Sequence, residues 1–129
     1  MPASLTFATA LWVALGGAIG SVARYTVSAL MHRPGVPLAF PWATFAVNIV
    51  GALALGAVVG WSVHTPLAPG HRAFLTLGVL GGFTTFSTFA FESLGLMQSG
   101  LYGKAALYVV ASVVLSIAAA AVGFGLARA

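Results

Sequence analysis

Few side chains in this chain can do chemistry, and they fall in a small number of places. The densest is Gly81-Gly82-Phe83-Thr84-Thr85-Phe86-Ser87-Thr88-Phe89, where four hydroxyls interleave with three phenylalanines. Aromatic rings present a positive edge, so this mixture offers hydrogen-bond donors and ring edges together. Spacing alone would equally suit a core-packing stripe of Phe83, Phe86 and Phe89. Two adjacent glycines followed by two β-branched threonines weaken a helix. A break there frees backbone carbonyls, hard oxygen ligands suited to an alkali cation. A second group is Tyr108, Ser112 and Ser116, spaced i, i+4 and i+8, which places three hydroxyls on one face of a helix. Each serine has an alternative, a bond back to the carbonyl four residues earlier. Asn48, between Val47 and Ile49, is an amide in apolar surroundings. It either clamps two helices together or offers donors to a pore. Arg24 lies one i,i+4 step beyond Trp12, Gly16 and Gly20, and either snorkels to a span end or forms the positive lip of a vestibule. Glu92 is the only acid, placed to reach water or a cation. His32, His64 and His71 fall in or beside loops and read as solvated rather than as ligands.

The elements that position these groups follow from composition. Of 129 residues, 60% are hydrophobic and 5% charged, with five Lys/Arg, one acid and no cysteine. A soluble domain carries about 25% charged residues. The mean hydropathy of +1.08 therefore excludes a cytosolic enzyme or a secreted disulfide scaffold and leaves the lipid bilayer as solvent. Five scattered cations make no basic patch, so no nucleic-acid partner is expected despite a pI near 10.4. Without cysteine there are no thiolate metal sites or disulfides. Met1 leads into an apolar segment without a basic stretch, so no cleaved signal peptide is expected.

A span needs roughly 20 apolar residues. Four segments qualify, about Leu5–Met31, Trp42–Val63, Arg72–Met97 and Lys104–Ala127, in a single four-helix transmembrane domain. The gaps are His32-Arg33-Pro34-Gly35-Val36-Pro37 with Pro41, then His64 to His71, then Gln98-Ser99-Gly100 with Tyr102-Gly103. All six prolines are expected outside the spans, where no helical amide is lost. Trp42, Trp61, Tyr25 and Tyr102 mark interfaces. Gly16 and Gly20 form GxxxG, and Ala52, Gly56 and Gly60 repeat that small-residue spacing, a signature of close helix packing. The cations balance across the membrane: Arg72 and Arg128 on the side of the termini, Arg33 and Lys104 on the other. The positive-inside rule then has almost no bias to act on. One reading is simply a chain with too few charges to score. The sharper one is insertion in both orientations and pairing into an antiparallel dimer about a two-fold axis.

A path of neutral donors and ring edges suits a small, strongly hydrated anion that trades water for hydrogen bonds. Composition alone stops at a polar-lined membrane assembly. The motifs go further. Gly16-Gly17-Ala18-Ile19-Gly20 with Arg24-Tyr25, then Thr44-Phe45-Ala46-Val47-Asn48-Ile49-Val50-Gly51, then the stretch from Gly81 to Phe89 resemble the Fluc (CrcB) fluoride channels over essentially the whole chain. That resemblance implies an all-α integral membrane protein with a broken third helix. It implies a dual-topology antiparallel homodimer with two fluoride pathways, in the inner cell membrane, and no catalytic residues. By motif position, Asn48 corresponds to the pore asparagine, Phe86 and Phe89 to the aromatic box, and Tyr108, Ser112 and Ser116 to a polar track. Ser87 and Thr88 are neighbouring hydroxyls of the pathway, and Arg24 is the vestibule cation. The backbone carbonyls of Gly81 and Thr84 correspond to ligands of a structural, non-transported Na⁺. The implied activity is passive release of fluoride from the cytoplasm. Two rivals are a proton-coupled small multidrug exporter and a non-transporting assembly subunit. The exporter wants a membrane-embedded carboxylate, and the first span has no acid.

Overall fold

The computed structural model describes residues 5–36 and 40–129; Met1, and Pro37 of the first gap, lie outside them. The first span is α1 (Phe7–Met31), begun by the Thr6 hydroxyl, which accepts from the Thr9 amide at 3.1 Å. The second is α2 (Trp42–Trp61), with a tryptophan at either end. The third, Pro69–Gln98, is assembled from pieces: α3 (Pro69–Ala73), a wider π-helical stretch (Phe74–Leu80), one turn α4 (Gly81–Phe83), a break, and α5 (Ser87–Gln98). The fourth is α6 (Tyr102–Arg128). All four are long and apolar enough to cross a membrane. One proline departs from expectation. Pro69 opens α3, where its missing amide is one the first turn leaves unbonded in any case.

Packing joins alternate spans. The first packs along the third, and α2 pairs most tightly with α6. Glycines make both seams. A Cβ at Gly20 would run into the Val79 carbonyl oxygen and lie 2.8 Å from the Phe83 amide, and one at Gly16 would meet the Phe74 carbonyl oxygen. On the other seam, Gly56 and Gly60 lie against the backbone at Ala120 and Phe124, and Gly123 against Leu53. GxxxG is therefore spent on packing within one chain, which lets backbones approach where no hydrophobic effect drives association. Trp12, Gly16 and Gly20 step by four along α1, whereas their counterparts Gly70, Phe74, Val79 and Phe83 step by four, five and four. The π-helical stretch absorbs the extra residue and keeps the seam facing α1.

The break falls inside the expected motif but after the glycine pair. Gly82 stays helical because it is needed for packing; a Cβ there would stand 2.7 Å from the Gly17 carbonyl oxygen. Thr84 is extended, with φ −83° and ψ 159°, and α5 restarts at Ser87. At the far end, Gly100 has φ +76°, and its amide and that of Leu101 close on the carbonyls of Met97 and Leu96. This left-handed cap turns the chain directly into α6. The small core it secures contains Phe89, Leu96, Ala105 and Tyr108, with Phe40 and Phe45 against it. Large apolar side chains elsewhere, from Leu11 and Leu15 to Ile117 and Leu126, face outwards.

Candidate functional site

Asn48 holds the break open. Its Oδ1 accepts from the Thr85 amide at 2.8 Å and its Nδ2 donates to the Thr85 carbonyl at 3.0 Å. Both alternatives for this residue are thus available in one side chain, since a carboxamide has a second N–H beyond the one given to Thr85. Several backbone carbonyls lose their helical donors at the break, those of Gly81 and Thr84 among them. In an unbroken helix the Thr85 amide would bond the Gly81 carbonyl, and the Thr88 amide that of Thr84. Here the first goes to Asn48, and the second to the Thr85 hydroxyl at 3.3 Å. The Gly82 carbonyl accepts from Arg24 Nε at 3.1 Å. Arg24 is therefore tied to the broken helix.

A cavity of about 450 Å³ lies beside this break. It brings together Asn48, Phe86, Phe89, Ser112 and Ser116, together with Gly81 and Thr84. Phe89 is buried at 8% exposure while Phe86 stands at the rim at 78%, their ring centroids 5.6 Å apart. Ser112 is 5% exposed, and its hydroxyl has no hydrogen-bond partner among the described residues. It does not take the bond back to Tyr108 that its position in a helix allows. A buried hydroxyl left unsatisfied costs about 1–3 kcal/mol, and of the two such side-chain groups among the described residues, Arg72 Nε and the Ser112 hydroxyl, only Ser112 lines this cavity.

A second, larger cavity of about 960 Å³ runs between the first loop and α5. Thr44, Thr88 and Glu92 line its inner part, and His32, Arg33 and Trp42 are also in its wall. Glu92 accepts from the Thr44 hydroxyl at 2.8 Å and from the Tyr108 hydroxyl at 2.7 Å. The Phe89 and Tyr108 rings meet at 5.2 Å, and of the two only Phe89 lines a cavity, the smaller one. A hydroxyl contact links the two cavities, from Thr85 in the smaller to Thr88 in the larger at 3.2 Å.

Not every expected residue joins these cavities. Tyr108 is fully buried, lines neither one, and serves Glu92. Ser87 is exposed at the start of α5, and Arg24 lies at the break outside both cavities. His71 lies in α3, its ring edge-on to Trp12 at 5.2 Å. Thr44, which holds the only acid, was signalled in the sequence solely by its place four residues before Asn48. Among the described residues no group of three His, Cys, Asp or Glu could hold a metal ion, so a cation here would depend on carbonyl oxygens.

The family model described as CrcB-like protein, Camphor Resistance (CrcB), matches residues 11–124. A protein of Methylobacillus flagellatus named fluoride-specific ion channel FluC is 46% identical over 117 residues, 90% of this chain and 91% of that protein. The protein of the same name from Rhodospirillum centenum is 48% identical over 120 residues, covering 92% and 94%. One from Thermus thermophilus is 44% identical over 116 residues, covering 90% and 92%.

Proposed function

Because the chain belongs to the CrcB-like family, we propose that it is a fluoride-specific channel, through which fluoride leaves the cytoplasm passively across the inner cell membrane. The observation that carries this reading is the unpartnered, buried Ser112 hydroxyl, in one cavity with Asn48 and the edges of Phe86 and Phe89. A fluoride ion there exchanges water for the Ser112 hydroxyl, the second Asn48 N–H and ring edges, the substitution that selectivity filters exploit. Ser116 extends the donors along α6. Thr88, reached through Thr85, passes the ion towards the larger cavity. Ser87 and Tyr108 flank this pathway without lining either cavity, Tyr108 acting on it only by holding Glu92. Arg24, fixed on the Gly82 carbonyl, gives the approach to the break a positive charge.

The Gly81 and Thr84 carbonyls, with their helical donors diverted, fit a hard cation such as Na⁺. Such an ion would neutralise the carbonyl dipoles at the break without being transported. Two carbonyls alone are too few to hold such an ion, and a second copy in antiparallel orientation would supply two more, closing a C2 dimer. The outward-facing apolar side chains of a single chain and its balanced cations support that pairing.

The test is fluoride efflux from liposomes holding the pure protein under a K⁺/valinomycin shunt, with chloride in parallel. Rapid fluoride release with little chloride is expected. No release from well-folded protein would remove the channel reading and leave an assembly subunit.

A further inference from the structure

The larger cavity joins the first loop to the only acid of the chain. An anion arriving there meets Glu92, whose two oxygens already accept from Thr44 and Tyr108. Hydrogen bonds spread a carboxylate's charge without cancelling it, so this end of the molecule repels anions unless a cation stands nearby. Arg33 is in the wall of the same cavity. Its place is built into the backbone. Arg33-Pro34-Gly35-Val36 forms a tight turn in which the Val36 amide donates to the Arg33 carbonyl at 3.5 Å and Gly35 takes φ +79°. Pro at the second position and Gly at the third are the residues such a turn selects. The turn follows His32, where α1 ends, and the partial negative charge of a helix C-terminus favours a cation there.

We propose that Arg33 is the anion-collecting residue of a second mouth, raising local fluoride concentration at the first-loop end and opposing the Glu92 charge. The inference rests on the channel reading above and adds to it a residue that sets access. A guanidinium at a low-dielectric mouth focuses field lines and raises the rate of anion capture.

The chain has no cysteine, so Arg33→Cys places a single thiol at this mouth. The purified full-length protein is labelled with a methanethiosulfonate bearing either a trimethylammonium or a sulfonate group. Fluoride conductance is then read in planar bilayers of neutral and of anionic lipid. At about 10 mM salt, where the Debye length is about 30 Å, the sulfonate adduct is expected to conduct about threefold less than the trimethylammonium adduct. At about 1 M salt, with a Debye length of about 3 Å, the two should converge. Arg33→Gln, which leaves the turn intact, should show the same salt-dependent loss relative to the unmodified protein. Equal conductance of the two adducts at low salt overturns the inference, as does a thiol that resists labelling in the folded protein. An effect that follows lipid charge instead of adduct charge assigns Arg33 to a lipid phosphate and overturns it too. If the unmodified protein conducts no fluoride in these bilayers, it is the channel reading that fails.

Discussion

At the scale of single residues, Ser112 and Asn48 make opposite kinds of prediction. Removing the Ser112 hydroxyl deletes a buried group that has no partner among the described residues. Ser112→Ala should therefore leave thermal stability unchanged or raise it, by up to about 1–3 kcal/mol. It should slow fluoride efflux about threefold to tenfold if that hydroxyl holds the ion, since one hydrogen bond contributes about 0.5–1.5 kcal/mol. A variant less stable with flux intact would reverse both parts. Asn48→Asp turns the donor that meets the Thr85 carbonyl into an acceptor and adds a negative charge beside the path. Hydrogen bonds to charged groups contribute about 1.5–3 kcal/mol, so efflux should fall at least about tenfold, while size-exclusion chromatography still shows folded protein. The types and spacing of Asn48, Ser112 and Ser116 were legible because an amide or a hydroxyl row stands out in an apolar helix. What Tyr108 does was not. Its spacing puts it in the hydroxyl row, but the partner that turns it aside, Glu92, comes from α5, which no local pattern on α6 could announce.

At the scale of elements, the glycine seams set the geometry. Gly20→Ala would force a Cβ against the Val79 carbonyl oxygen, and overpacking of this kind costs about 1–3 kcal/mol. Gly17→Ala, one residue around from the seam's first glycine and with nothing within 4 Å of the added Cβ, should be neutral or slightly stabilising. Thermal unfolding in detergent, with Gly20→Ala melting lower and Gly17→Ala not, checks the contrast. The four spans and their approximate ends were readable because proline, glycine and length bound a helix in lipid. The place of the break was readable only to within the motif. Glycine propensity points to Gly81 and Gly82, but Gly82 is held helical by Gly17 while Asn48 captures the amide of Thr85. The π-helical turn had no local signature, since it answers the mismatch between two spans and belongs to neither alone.

At the scale of the whole molecule, the chain leaves much of its apolar surface facing outwards, and lipid or a second copy must cover it. If the Gly81 and Thr84 carbonyls share a cation with their counterparts, replacing Na⁺ with N-methylglucamine should abolish efflux slowly. Circular dichroism should meanwhile report unchanged helix content, because the spans are not held by the ion. Efflux that persists after exhaustive exchange would remove Na⁺ from the proposal. The balanced cations were visible in the sequence; which surface meets a partner was not, because apolar faces towards lipid and towards protein have the same composition.

The alternation of the packing, first span with third and second with fourth, bears on how the chain is made. The two glycine seams join spans that are not consecutive, so neither can close until a later helix has been made. The groove that Gly56 and Gly60 leave on α2 stays unfilled until α6, the fourth span, arrives with Ala120 and Gly123. Such long-range contacts delay the reward for closing the chain. A ribosome stalled before Tyr102 should therefore leave a fragment with the α2 seam open, which quality-control proteases are expected to clear quickly.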